Sequence, residues 1–426
     1  MRKVLILAYD FPPYESIGAQ RPYSWYKHFK TNGLEPTVVT RHWDVPILNP
    51  EDCYLPSTSS STVKEITEFG TVIRSPFRPT LRDRLVPRNG PVLKIIRKAL
   101  SLLHLGLERK IPTFDNKRKI YIEARNLLLS EKYDLIIATG EPFILFNYAS
   151  KLSFEFGIPW IADYRDGWST NYNATGFEKL VNKFWFGPIE KRIVATASLV
   201  TVAAPAYVKE LSYLLKRETE TIQVVYNGYF EDLFEGLENV PEKETFHIVH
   251  AGTLYYFQRV ETFLQGLNLF LKENPEAEIT TTFFGLNFYP AQIERIKAAA
   301  GSANVKFTDK IPHKQMLEEL ASSHLQLLIA TPEKHQIYGK VFDYLASGRP
   351  TLMVENDKGP LEWILSHQEN SFSASTAEEV AKYIKKLYSD REKTKRLPRS
   401  ENQFSRRKQT ERFANLILEV LNKNEK

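Results

Sequence analysis

Short apolar runs without polar alternation punctuate the chain, and most are followed by a stretch whose apolar residues recur at helical spacing. In the first half the runs are KVLILAY (3–9), PTVVT (36–40), DLIIAT (134–139), IPWIAD (158–163) and LVTVAA (199–204). In the second half they are HIVHAG (247–252), ITTTFFG (279–285), VKF (305–307), LQLLIA (325–330) and TLMVE (351–355). A strand buried on both faces of a parallel sheet reads as such an unbroken run. The segments between them, 20–32 and 143–156 among them, carry helical periodicity. Alternation of strand and helix in two series predicts an α/β protein with two doubly wound domains. The acidic, turn-rich stretch 227–244 reads as the linker, so the first domain is expected at 1–226 and the second at 245–395. Segment 41–130 interrupts the first series with turns, prolines and basic helical patches, and reads as an elaboration on the first domain. The tail 396–426 places Phe413, Leu416, Ile417 and Val420 at helical spacing and is expected to pack back on the first domain.

A length of 426 residues suits two domains, and 42% hydrophobic with 25% charged residues is an ordinary globular balance. Cys53 is the one cysteine, which excludes an intrachain disulfide and a cysteine-cluster metal site and favours a reducing compartment. The opening apolar run, Val4 to Tyr9, is shorter than the roughly 7–15 residues of an export signal. It reads as a buried strand. No stretch reaches the roughly 20 apolar residues of a membrane-spanning helix. A cytoplasmic protein is expected, soluble or peripheral on the inner membrane face.

Charge changes this picture locally. The total is +6, yet 73–130 holds 14 Lys and Arg against four Asp and Glu, a net +10, and the remainder of the chain is therefore −4. Within that segment PVLKIIRKALSLLHLGLERKI (91–111) sets Lys94, Arg97, Lys98, Arg109 and Lys110 beside apolar residues three or four positions apart. The pattern suits an anionic membrane surface, or else a core-facing helix with a solvated basic face. Nucleic acid is not indicated, because aromatic-basic interleaving and known binding motifs are both lacking.

Ligands of open α/β sheets bind at the carboxyl ends of strands, so the residues there come first. After LQLLIA, a helix is predicted to begin near Gly339 in IYGKVFDYLASGRP, with Lys340 at its start. Cations are disfavoured at a helix N-terminus unless an anion shares the site. Gly339 leaves room for such a ligand. A Walker loop is excluded, since its first glycine would fall on Lys334 and Val341 replaces its Ser/Thr. After HIVHAG come Gly252, which opens the backbone, and Arg259, positioned to grip a diphosphate from the next helix start. Gly18 lies in the loop after the first strand, and Arg165 and Asp166 follow IPWIAD. The chain lacks G-x-G-x-x-G, which disfavours a nicotinamide or flavin cofactor. It also lacks a metal-binding Asp-x-Asp and tight histidine spacing, so no catalytic metal is expected.

Taken in order, FPPYESIGA, IPWIADYRDGW, VVYNGYF, HAGTLYYFQR and GKVFDYLASGRP resemble the retaining GT-B glycosyltransferases of family 4, across more than 300 residues. The resemblance implies two Rossmann-like domains facing across a cleft, a nucleotide-diphosphate sugar as donor substrate rather than cofactor, and transfer with retention. It implies that the second domain holds the donor and the first a glycan or lipid-linked acceptor, in polysaccharide biosynthesis. Gly252, Arg259, Gly339 and Lys340 would then face the diphosphate and Asp343 the ribose. Gly18 would admit the donor to the first loop, and Arg165 and Asp166 would lie by the reacting sugar. Many members carry two glutamates where this chain has His335 and Asp343, and of their Arg and Lys after the glycine the first is replaced here by Thr253 while Arg259 stands one position past the second. A sugar-nucleotide epimerase and a catalytically silent nucleotide-sugar-binding scaffold are the competing readings.

Overall fold

The computed structural model describes all residues except 46, 48–49, 87–89, 111–114, 171–175, 287–289, 332–336, 392–402 and 425–426, and omits the side chains of 50, 102, 104–110, 177 and 424. It comprises two compact units, Met1–Tyr226 with Arg407–Lys426, and Asn227–Arg406.

The first unit is built on eight strands: β1 (Arg2–Leu7), β2 (Leu34–Arg41), β3 (Val63–Ile66), β4 (Thr71–Ser75), β5 (Leu135–Gly140), β6 (Trp160–Tyr164), β7 (Leu199–Val202) and β8 (Ile222–Val224). They lie in the order β3-β4-β2-β1-β5-β6-β7-β8, all parallel except β3 against β4. β1 and β5 are buried from Val4 and Leu135 onward, as their unbroken apolar runs require. Segment 41–130 differs from its reading as turns and basic helices, because β3 and β4 lie within it. β3 is exposed at all four positions and centres on the charged pair Lys64 and Glu65, and β4 carries Arg74 among its few apolar residues. β3 is the edge strand and β4, its inner neighbour, is short, so neither gives a long apolar run.

The terminal helix, Arg406–Asn424, sends Phe413 into the core of the first unit, with ring centroids 4.9 Å from Trp25 and 6.0 Å from Phe29. Ile417 and Leu421 join the same cluster. Buried Arg21, in the helix Ile17–His28, pairs with buried Asp163 at 2.6 Å, and Thr139 and Thr201 also donate to that carboxylate. One ion pair thus ties the first helix to β5, β6 and β7.

The second unit holds six parallel strands: β9 (Phe246–Ala251), β10 (Ile279–Phe284), β11 (Asn304–Thr308), β12 (Leu325–Ile329), β13 (Thr351–Val354) and β14 (Ser371–Ala374). Their order is β11-β10-β9-β12-β13-β14. The acidic stretch 227–244 falls within this unit, where Phe234 and Leu237 are buried. In both sheets the strand order reverses beside the first strand of the unit, β1 against β5 and β9 against β12. The carboxyl ends there open a crevice between helices that leave in opposite directions.

Candidate functional site

At the crevice of the second unit, Gly252 follows β9 with φ +78, a left-handed conformation that favours glycine. A Cβ on it would come within 3.9 Å of Lys340 Cε, so these two predicted residues do meet. Lys340 opens the helix Lys340–Ser347, with Gly339 as its N-cap. The apolar face expected of this helix is present, with Val341, Phe342, Tyr344 and Leu345 all buried.

The Lys340 ammonium donates to the Thr253 carbonyl at 3.2 Å and lies 3.2 Å from His250 Nε2. His250 is fully buried, and its Nδ1 is 3.0 Å from the Leu327 carbonyl. A carbonyl accepts only, so Nδ1 carries the proton and the Nε2 lone pair faces Lys340. Burial lowers the Lys340 pKa to about 7. Burial, and next the Lys340 charge, hold His250 well below its ordinary range. The Tyr344 hydroxyl braces the same strand ends, accepting from Ala251 N–H at 2.9 Å and donating to the Leu327 carbonyl at 3.2 Å. His250 and Tyr344 escaped the sequence reading. The histidine sits inside the run HIVHAG, where it passes for an interruption of a strand, and the tyrosine passes for core.

The helix start offers fewer donors than a free helix end, because Val341 and Phe342 N–H already donate to the Tyr338 and Gly339 carbonyls. The cation at this helix start is Lys340. Asp343, in the first turn, accepts from His313 Nε2 at 3.0 Å, and both side chains remain partly exposed. Arg259 is the exposed N-cap of the helix Val260–Glu273, with no hydrogen-bond partner among the described residues. His335 lies outside the described residues.

The crevice of the first unit gathers groups from β1, β5 and β6. Arg165 donates through Nε to the Gly140 carbonyl at 2.7 Å and through Nη2 to the Glu141 carbonyl, and pairs with Asp10 at 3.2 Å. It does not pair with its sequence neighbour Asp166, which accepts from the Tyr207 hydroxyl at 3.4 Å. A Cβ at Gly18 would collide with the Arg165 guanidinium, so within this unit the glycine makes room for arginine. Burial raises the Asp10 pKa against the pull of Arg165. Burial, then Asp166, raises that of Glu141. Asp10 and Glu141 are functional candidates that the sequence reading missed. Only the sheet order places both beside Arg165.

In the basic helix, Pro91–Lys110, Lys94 and Lys98 are exposed and Arg97 is half-buried, donating to the Val86 carbonyl. The side chains of Arg109 and Lys110 lie outside the described residues. Val92, Ile95, Ile96 and Leu103 are exposed, while Leu93 and Leu100 are half-buried. No helix among the described residues is long and apolar enough to cross a membrane. No group of three or more His, Cys, Asp or Glu side chains arranged for a metal occurs among them either.

No protein-family model and no curated protein sequence matches the chain. Solved structures do. Sucrose-phosphate synthase from Thermosynechococcus elongatus superposes with a TM-score of 0.56 at 15% identity, covering 100% of this chain and 98% of that one. HepE from Anabaena, in complex with UDP and glucose, gives 0.54 at 14% identity, with 100% and 98% coverage. A UDP-forming α,α-trehalose-phosphate synthase from Burkholderia xenovorans gives 0.58 at 10% identity, with 99% of both chains covered. The fold is that of the GT-B glycosyltransferases.

Proposed function

We propose that this GT-B chain moves a sugar from a nucleoside-diphosphate sugar to a glycan or lipid-linked acceptor, with retention, in the assembly of a surface polysaccharide. The observation that carries the reading is Lys340, held under Gly252 by His250 at a helix start, with the Asp343 carboxylate in the same first turn. One nucleotide could meet both. The diphosphate would take the Lys340 ammonium, with Arg259 as a second cation, and the ribose would hydrogen-bond to Asp343. In the first unit Arg165 and Asp166 would face the transferred sugar, and Asp10 and Glu141 would add acceptors for hydroxyl groups.

Transfer breaks the bond between the anomeric carbon and the phosphate oxygen and forms one to the acceptor oxygen. The acceptor proton passes to the departing phosphate. Fixed cations aimed at the developing diphosphate charge lower this barrier without reorganising. Metal independence belongs to the same reading. The basic helix Pro91–Lys110 would hold the first unit on anionic lipid, each base near the surface contributing roughly 1 kcal/mol.

Calorimetry with a panel of nucleotide-sugars, followed by incubation of the best binder with a membrane lipid extract and chelator, tests the proposal. Labelled sugar should appear in the lipid fraction. Donor binding with neither transfer nor slow donor hydrolysis would favour a silent scaffold, and conversion of the donor without acceptor an epimerase.

A further inference from the structure

The chain after β6 runs through the helix Gly176–Val181 into a π-helical turn, Asn182–Phe186, and then into the helix Gly187–Val194. The turn is closed by the Gly187 N–H donating to the Asn182 carbonyl, and such turns mark functional positions more often than ordinary helix does. The wider turn sorts three neighbouring aromatics. Phe186 points inward, with its ring 6.2 Å from Trp168, which stacks in turn on Phe143 at 5.2 Å. Phe184 and Trp185 point outward, 69% and 37% exposed, beside Leu180 at 54%. Isolated exposed apolar side chains are ordinary, but three on one stretch of helix make a surface.

We propose that Leu180, Phe184 and Trp185 insert into the interfacial region of an anionic lipid bilayer, beside which the first unit takes a lipid-linked acceptor. This rests on the transferase reading and narrows its acceptor class. Charge selects the occupant. Lys179, Lys183 and Arg192 are exposed around the aromatics, Glu190 is buried, and Glu178 is the one exposed acid in the described part of 176–194. The Lys183 ammonium lies 5.4 Å from the Phe184 ring centroid. Tryptophan flanked by lysine is the composition of a membrane interface.

The fold supplies a second argument. The basic helix Pro91–Lys110 lies in the connection after β4 and the π-helical turn in the connection after β6, and these two parallel strands end at the same carboxyl edge of their sheet. Four strand spacings separate β4 from β6, roughly 19 Å. Exposed Ile95 and Lys98 on one element, with Phe184 and Lys183 on the other, call for a broad anionic face with an apolar interior. Asp10 follows β1, between β4 and β6, and Arg165 follows β6 itself. The outward aromatics are linked to them through the ring series Phe186, Trp168 and Phe143, the last of which follows the Glu141 loop holding Arg165.

The test sediments the full chain with phosphatidylcholine vesicles, with and without phosphatidylglycerol, at low and high salt. Wild type should sediment with the phosphatidylglycerol vesicles. Phe184→Ser/Trp185→Ser should bind them about tenfold more weakly or worse, since it removes two apolar groups that would leave water for the bilayer. Trp185→Phe, a milder change, should keep binding but lose part of the tryptophan quenching by brominated lipid. Equal sedimentation of wild type and the double serine variant overturns the proposal. So does a wild-type dimer that ignores vesicles and dissociates in that variant, which would assign the surface to a second copy. UDP binding, read on the same preparations, separates the two claims. Loss of vesicle binding with UDP binding intact confines the damage to the lipid surface. Vesicle binding by a chain that takes no nucleotide upholds the surface and removes the transferase reading.

Discussion

Lys340 Nζ lies 3.2 Å from the unprotonated Nε2 of His250, a fully buried imidazole whose other nitrogen is committed to a backbone carbonyl. The histidine therefore accepts from the lysine and does not repel it. The amine, with its pKa lowered by burial to about 7, is half charged near neutrality, and a diphosphate bound there as proposed would draw it to full charge.

Nucleotide affinity should consequently depend on pH. Above pH 7 the free amine is increasingly neutral, while the bound state needs the ammonium, so binding takes up a proton and weakens by up to about tenfold per pH unit. Calorimetry of UDP binding in buffers of different ionisation enthalpy should register that uptake at pH 8. Lys340→Ala should abolish the dependence and cost about 1.5–3 kcal/mol of binding at pH 6.5. Unchanged affinity in a folded Lys340→Ala protein would remove the phosphate assignment.

His313 orients the Asp343 carboxylate, donating to it at 3.0 Å if Nε2 carries the proton. Asp343→Ala should lower affinity for UDP more than for its 2′,3′-dideoxy analogue. His313→Ala should do the same more weakly, with His313→Gln restoring part of the loss. Equal effects on both nucleotides would show that neither residue serves the ribose.

Asp166→Ala should reduce turnover more than donor affinity, because the residue belongs to the first unit and is assigned to the reacting sugar. Asp10→Asn should do likewise, since it removes the Arg165 counter-charge. Single-turnover transfer, set against calorimetric donor affinity, separates the two quantities.

Arg21→Met should destabilise the first unit by about 3–5 kcal/mol, leaving Asp163 charged and buried without its partner. The double substitution Arg21→Met/Asp163→Asn should recover much of that loss in urea unfolding.

His247 is buried on β9, and burial, then Lys243, lowers its pKa to about 4. The native state therefore stays unprotonated while the unfolded chain titrates at its ordinary pKa near 6.5. Stability is intact above that value and falls as pH drops from it towards 4. The loss by pH 5 should be roughly 2 kcal/mol. His247→Gln should flatten the pH dependence of melting over that window.

The buried strands and the two series were legible from the sequence, because residues enclosed on both faces must be apolar wherever they sit. The helix start at Gly339 and Lys340 and the glycine after β9 were legible too, because the apolar runs before them mark where strands end. β3, β4, β8 and β14 were not. They are short, and several are exposed at an edge or partly buried, so no apolar run announces them. The loop Ala8 to Ser16 betrays no partner for Asp10, and the sequence pairs Arg165 with Asp166 by adjacency alone.

What the sequence determined by itself was the period of burial and the local punctuation, since both depend on neighbours along the chain. What tertiary structure alone decided was the company each polar group keeps. Asp10 and Arg165 are 155 positions apart, and His250 and Lys340 are 90 apart. Such pairs exist because parallel crossovers bring the carboxyl ends of distant strands to one edge. There, burial strips water from the side chains and shifts each proton affinity, and nearby charges adjust it.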